Sequence, residues 1–418
     1  MTQAFYTGLS GLKTNTSAID AISDNLANVG TVGYRGYTTE FSSLFEESLN
    51  TISGQSTNDD SIGLGSRVQA TTMITSQGNV MQSGRSTDLA ILGDGWFGVE
   101  AQGNISYTRN GAFSFDSNSN LVTSDGYYVM GTKAGNITDN QITQKLTSTS
   151  LNDVNSQEKL TFTNDLIYPV DPTTKATFSG NLGTEDTIRN MSAAVIDAQN
   201  NKNELKLSFS SPVTDTDGGT TWSVVAQTLS PDGETIYDTQ NGEVVFNELG
   251  ALVSTTLNTI DNNGTDVDID IGDNYSGIVA LANMEISSST SSDGIQTGEL
   301  VGYDINKDGE VIATFTNGQQ SSVAKIALYH FQNDQGLRRD SGTLFQSSAN
   351  SGDAMFYKDS EGNNISGTNM MNYALENSNI NMTTSLTELI IYQRAYDANS
   401  KSVTTADEMM QKALEMDA

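Results

Sequence analysis

Apolar residues along this chain follow two different rhythms. From about Thr2 to Val29, and again from Met382 to the end, Pro is absent and apolar residues return at helical spacing. In the C-terminal stretch Leu389, Tyr396, Val403 and Met410 lie seven apart. Tyr392, Asn399, Ala406 and Ala413 follow each of them by three, which makes a heptad seam. Thr383, Thr384 or Ser385 is suited to cap the start, with Glu388 placed for a capping box. In the N-terminal stretch Leu12, Ile19 and Leu26 are seven apart, Ile22 and Val29 supply a second row, and Leu9 widens the stripe. Asn15 interrupts this stripe, and Asn399 with two alanines dilutes the other. Helices with such narrow seams are marginal alone. The two ends are therefore expected to pack on each other as a coiled coil.

Between them the rhythm shortens to strands and turns. Tyr34 to about Met73, with short apolar patches such as Phe41, Leu44 and Phe45, reads as an extended connection with a short helix. From Asp88 onward short β runs alternate with turn signals, including Asn110-Gly111, Asp125-Gly126, Asp217-Gly218-Gly219, Asp232-Gly233, Asn241-Gly242 and Asp308-Gly309. Alternation at Leu205, Leu207 and Phe209, at Trp222, Val224 and Ala226, and at Val244 and Phe246 fits a sandwich or barrel. The expected fold is mainly β and multidomain, with long terminal α-helices and nested β-sandwich or barrel-like domains between them. Composition agrees: 418 residues with 38 Gly, 4 Pro and 36% hydrophobic residues suit turn-rich β domains.

Charge and chemistry narrow the function classes. The formal net charge is -31, and no Lys or Arg occurs between Lys206 and Lys307. An acidic surface of this kind disfavours nucleic acid and suggests a solvated exterior. There is no Cys, and His330 is the one His, so thiolate, Ser–His and His-based metal chemistry have little material. Gly93 to Gly98 matches Gly-x-Gly-x-x-Gly after a strand, but Gln102 to Tyr107 continues as turn and strand where a dinucleotide site needs a helix. Asp304 to Phe315 fills the early positions of a calcium loop, but its twelfth residue is Phe315. Asp266, Asp268 and Asp270 read as one charged face of an edge strand. No cofactor, metal or small-molecule substrate is expected, and no enzymatic activity.

The flanks of the two helices carry the most specific signal. Residues 24 to 36 read Asp-Asn-Leu-Ala-Asn-Val-Gly-Thr-Val-Gly-Tyr-Arg-Gly, residues 374 to 380 read Ala-Leu-Glu-Asn-Ser-Asn-Ile, and residues 392 to 401 read Tyr-Gln-Arg-Ala-Tyr-Asp-Ala-Asn-Ser-Lys. These resemble the terminal signatures of the bacterial flagellar axial family of rod, hook and hook–filament junction proteins. Asn25, Asn28, Gly33, Tyr34, Arg35, Gln393, Arg394, Ala395 and Tyr396 are the motif residues. The run from Gly298 to Ala354 and the large middle insertion are similar to the hook branch. The resemblance implies an inner helical domain from 1–30 with 382–418, connecting segments 31–75 and 361–381, an inner β domain from 76–146 with 297–360, and an inserted outer β domain at 147–296.

It also implies a structural subunit that polymerises with itself into a flexible tube, a universal joint passing torque from rod to filament. Leu9, Leu12, Ile19, Ile22, Leu26, Val29, Leu389, Tyr392, Tyr396, Val403 and Met410 are the expected packing residues. Implied partners are further copies of the chain, a distal rod protein, a hook cap protein, hook–filament junction proteins and the flagellar export apparatus. The implied location is extracellular, in the hook and basal body, after export without a cleaved signal peptide. Two other readings fit parts of the chain. A distal rod protein shares the end motifs but generally lacks the insertion. A secreted adhesin or hydrolase would use the middle domain but leaves the paired heptads unexplained.

Overall fold

The computed structural model of the chain describes residues 2–46, 62–101, 103–216 and 218–416. Gln102, Asp217 and residues 417–418 lie outside them, as do residues 47–61 of the predicted connection. Two helices, α1 (Thr2–Ala27) and α2 (Met382–Met416), bracket a body of strands. Asn381 caps α2 by accepting the backbone N–H groups of Thr383 and Thr384 at 3.0 and 3.2 Å. The cap therefore stands just ahead of the predicted Thr383–Ser385 group.

The helices run antiparallel. Gly8 and Gly11 of α1 face Val403 and Asn399 of α2 so closely that an added Cβ would stand 2.7 Å from Val403 Cγ2 or Asn399 Nδ2. The buried stripe of α1 is Gly8, Thr14, Ala18, Ile22 and Asn25. It shares Ile22 with the predicted stripe and otherwise lies beside it, leaving Leu12, Ile19 and Leu26 half-buried, with Leu9 and Val29. Small residues let two backbones approach, so the closest contact follows them and not the larger apolar side chains.

The predicted connection is a hairpin. β1 (Tyr37–Glu46) pairs antiparallel with β2 (Ile62–Met73). Phe41 and Leu44 therefore sit on a strand and not on a short helix, and the Phe45 side chain lies outside the description. The hairpin seats on α1, where Thr14 Oγ1 and Ser66 Oγ are 3.0 Å apart. Phe41 meets Tyr392 of α2 edge-on at 6.0 Å.

An inner β unit follows, built from both halves of the chain. Trp96–Ala101 pairs with Asn104–Thr108, Tyr128–Lys133 and Leu328–Tyr329. The meander Gly298–Ile305, Glu310–Phe315 and Gln320–Ile326 joins the same sheet. Leu89–Leu92 pairs with Asn369–Asn372, and Val80–Gln82 with Ala374–Glu376. Trp96 and Phe97 are buried, and Gly93 and Gly95 turn the chain with positive φ into that strand. The dinucleotide-like glycines are thus turn and strand residues.

Residues 147–170 also belong to the inner unit. Glu158–Lys159 pairs with Tyr128–Lys133, Ile167–Tyr168 pairs with Gly298–Ile305, and Leu151, Leu160 and Leu166 are buried in its core. The chain crosses outward at Asp171 and returns at Ile295, where the two form a β-bridge. The insertion accordingly begins near Asp171 and not at Thr147; these two-residue strands have no alternation for the sequence to display.

The outer unit holds two five-stranded sheets around one apolar cluster. Lys175–Asn181 is central in the first, and Arg189–Ile196 to Leu252–Thr255 forms the second as an antiparallel meander. Two turn expectations fail. Asn241-Gly242 lies inside the strand Ile236–Phe246, paired with Val225 and Val224. Asn110-Gly111 links strands that have different partners, because Gly111 O accepts the Leu89 N–H at 3.0 Å in place of a hairpin bond. Asp125-Gly126, Asp232-Gly233 and Asp308-Gly309 do turn their strands.

Because the apolar clusters are separate, a core deletion in the outer unit should stay local. Phe178→Ala should destabilise that unit by about 3–5 kcal/mol, seen as an earlier urea transition reported by Trp222, while the transition of the Trp96 region holds its midpoint.

Candidate functional site: the joint between helices and strands

The N-terminal motif begins in the last turn of α1 and ends where β1 starts. After Ala27 the chain turns through Gly33, whose φ is +67° and whose added Cβ would stand 2.4 Å from the backbone N of Asn110. A side chain is excluded there on both counts. Gly33 N donates to Glu376 O at 2.7 Å. Tyr34, Arg35 and Gly36 are then buried.

Glu376 lies at the centre. Its carboxylate meets Arg35 Nη2 at 3.0 Å and Arg109 Nη1 at 3.3 Å, and accepts the Gly78 N–H at 2.8 Å. All three charged side chains are at most 3% exposed. Arg35 also donates to Ser76 O, and the Arg109 guanidinium lies 5.3 Å over the Trp96 ring. Burial, and then the neighbouring Arg109, push Arg35 down to about 10, and burial lowers Arg109 as well. Arg35 remains charged at neutral pH, so the shared carboxylate is what makes its burial tolerable.

Two amides lace the rest together. Asn25 Nδ2 donates to Tyr37 O at 2.7 Å and Asn25 Oδ1 accepts Tyr37 N–H at 3.0 Å. Asn379 Oδ1 accepts Gly36 N–H at 2.9 Å, and its Nδ2 donates to Ile74 O and Ser76 O at 2.8 and 2.9 Å. The joint thereby ties α1, β1, the end of β2, the inner unit and the approach to α2. Its charged groups pair with one another across these elements.

Of the predicted motif residues, Asn25, Gly33, Tyr34 and Arg35 meet here. Asn28 sits at the rim, where its Nδ2 donates to Asp24 O at 2.9 Å. Gln393, Arg394, Ala395 and Tyr396 lie well along α2: Gln393, Arg394 and Tyr396 exposed, Ala395 half-buried. Among the predicted packing residues Ile22 is buried, Leu389, Tyr392, Val403 and Met410 are half-buried, and Tyr396 is exposed. Sequence reading missed Arg109, Glu376 and Asn379 as joint residues. Glu376 and Asn379 lie within the motif at residues 374–380, but Arg109 and Glu376 are 267 residues apart and nothing local pairs them.

The other candidate sites have structural partners. Asn306 Oδ1 accepts the backbone N–H groups of Asp308 and Glu310, and Asp304 accepts Ser86 Oγ–H at 2.8 Å, so the calcium-like loop is a hairpin turn. Asp270 pairs with Lys175 at 2.7 Å. His330 is buried, with Nε2 2.7 Å from Ser366 O and its ring 4.3 Å from that of Tyr357.

Comparison with known proteins gives the class. Residues 5–35 match the model described as flagella basal body rod protein, residues 90–154 the flagellar hook protein FlgE/F/G D1 domain, and residues 371–416 the flagellar basal body rod FlgEFG protein C-terminal. This is a flagellar axial protein, and its two end models carry the strands and helices that meet at the joint. The flagellar hook protein FlgE of Brucella suis is 31% identical, covering 97% of this chain and 96% of that protein. FlgE of Escherichia coli K12 is 28% identical, covering 97% and 98%, and that of Borreliella burgdorferi 25%, covering both chains fully. The crystal structure of Helicobacter pylori FlgE2 aligns with a TM-score of 0.52 at 16% identity, covering 71% of this chain and all of that one. The chain belongs to the flagellar hook protein FlgE family, whose members are structural subunits of the hook.

Two outcomes follow. Asn379→Ala removes three bonds at a partly buried position and should cost the inner unit about 1–3 kcal/mol in urea unfolding. Burial holds His330 below its ordinary value of 6.5. A base whose folded pKa is depressed is fully stabilised above 6.5 and loses stability as pH falls below it, because the unfolded chain takes up the proton first. Burial raises Asp334, which works in the opposite direction. The stability of the inner unit at pH 5.5 relative to pH 7.5 should therefore be higher in His330→Gln than in the wild type; an unchanged difference would contradict the assignment.

Proposed function

We propose that the chain polymerises through its helical ends into the hook tube, with the helices innermost and the outer unit facing water. The observation that carries this reading is the bare side of α2. In the 35-residue helix only Ser385 and Ala406 are buried, while Ile390 and Ile391 are more than half exposed and Leu414 and Met416 more than 70%. Exposed apolar side chains at both ends of the helix imply a covering surface, and further copies of the same helix supply one. The exposed motif residues Gln393, Arg394 and Tyr396 lie on that helix.

In this reading α1 and α2 form an antiparallel coiled coil. The hairpin with residues 377–381 connects it to the inner β unit, to which the strands at 369–372 and 374–376 already belong, and the outer unit spans about residues 172–295. Residues Leu12, Ile19 and Leu26, half-buried in the single chain, complete their burial against neighbours. The acidic outer unit keeps the tube soluble and slides against its neighbours as the tube bends, while the tight inner packing passes torque from rod to filament. Binding to a distal rod protein, a hook cap and junction proteins, and export without a cleaved signal peptide, belong to the same reading.

Electron microscopy of the full-length protein at high concentration and salt, beside a chain lacking 1–30 and 382–418, tests it. Tubes from the full-length chain alone are expected. A Val403→Asp chain should form none while its outer unit keeps a wild-type melting transition, and tubes from that chain would refute the helical seam.

A further inference from the structure

Among the described residues two charged attachments join the helical pair to the inner unit, and they differ in kind. The Glu376 knot is buried. The second lies at the surface, on the strand Arg338–Ser341. Arg339 Nη1 is 3.1 Å from Asp24 Oδ2 and 3.5 Å from Tyr34 Oη. The guanidinium carbon lies 4.8 Å from the Tyr34 ring centre and 5.6 Å from that of Tyr37. Tyr34 O–H donates to Asp24 Oδ2 at 3.0 Å, which closes a triangle of Asp24, Tyr34 and Arg339. Arg339 Nε donates to Gly342 O at 3.0 Å, so the arm is braced by its own hairpin.

Water reaches this contact. The Arg339 side chain is 27% exposed and that of Asp24 53%. An ion pair so placed is weak and screened by salt. Opening the Glu376 knot would strand buried guanidinium groups; opening the Arg339 contact returns both charges to solvent. One attachment therefore behaves as a pivot and the other as a catch.

We propose that Arg339, Asp24, Tyr34 and Tyr37 form a reversible latch that sets the tilt of the helical pair against the inner β unit, with the Glu376 knot as its pivot. Arg339 is a positioning residue. Latched and released chains differ in tilt, and a tube of such subunits bends when one side holds more of one state than the other. This rests on the hook-subunit reading, which supplies the tube.

The test uses full-length chains: wild type, Arg339→Ala, Arg339→Lys, and the swap Asp24→Arg with Arg339→Asp. Polymer curvature is measured by electron microscopy in dilute buffer and in about 1 M salt, where screening reaches only about 3 Å. Wild-type curvature should shift with salt. Arg339→Ala should take the high-salt curvature in both buffers, Arg339→Lys should fall between, and the swap should recover part of the salt response. An Arg339→Ala tube with wild-type curvature and wild-type salt response overturns the latch. A wild-type chain that forms no tube refutes the hook reading instead. The latch is then judged by X-ray scattering from monomers, where Arg339→Ala must broaden the distance distribution, and an unchanged profile overturns it. If Arg339→Ala does not fold, Asp24→Asn at its half-exposed site carries the same expectations.

Discussion

One buried carboxylate, shared by two guanidinium groups, determines how the parts of this chain relate. Glu376 draws Arg35 from the end of the N-terminal motif and Arg109 from the inner β unit to a point just ahead of α2. Each charge pays for burial only through the others, so breaking one contact costs about 3–5 kcal/mol. Such an interaction contributes little net stability, but it penalises every alternative arrangement of the joint. The amides of Asn25 and Asn379 then fix the backbone on either side.

This constraint lets the remaining parts divide their tasks. The helices meet through Gly8 and Gly11, which lock their spacing and leave most of α2 uncovered. The inner unit is assembled from both halves of the chain, so its core forms only when residues near 90–170 and 298–372 come together. The outer unit hangs from a two-strand crossing at Asp171 and Ile295 and keeps its own core. Rigidity is concentrated where the chain ends converge, and independence where the insertion leaves.

The sequence displayed what depends on local periodicity. A heptad is written in consecutive turns, and of its row on α2 Leu389, Val403 and Met410 are half-buried while Tyr396 is exposed; Trp222, Val224 and Phe246 marked the outer core because a long strand alternates. It hid what depends on close approach and on distant pairing. The closest α1 contact with α2 runs through Gly8 and Gly11, which carry no hydrophobic signal, so the reading shifted to Leu12 and Ile19. The strands at 158–159 and 167–168 are too short to alternate, and the inner unit looked smaller than it is. Asn241-Gly242 has turn chemistry but pairs along its whole strand, a case of tertiary pairing overriding local preference. Half of the joint was legible as motif, and Glu376 acquired its role only when the fold brought Arg35 and Arg109 to it.

Native-state hydrogen exchange on the wild type and Glu376→Gln tests the central claim that this residue couples the helices to the strands. Local opening is read segment by segment in such an experiment. Protection should fall at residues 33–37, 74–78 and 374–380 and in both helices, while residues 175–292 keep their wild-type rates. Unchanged rates around the joint, or a uniform loss that includes the outer unit, would contradict the account.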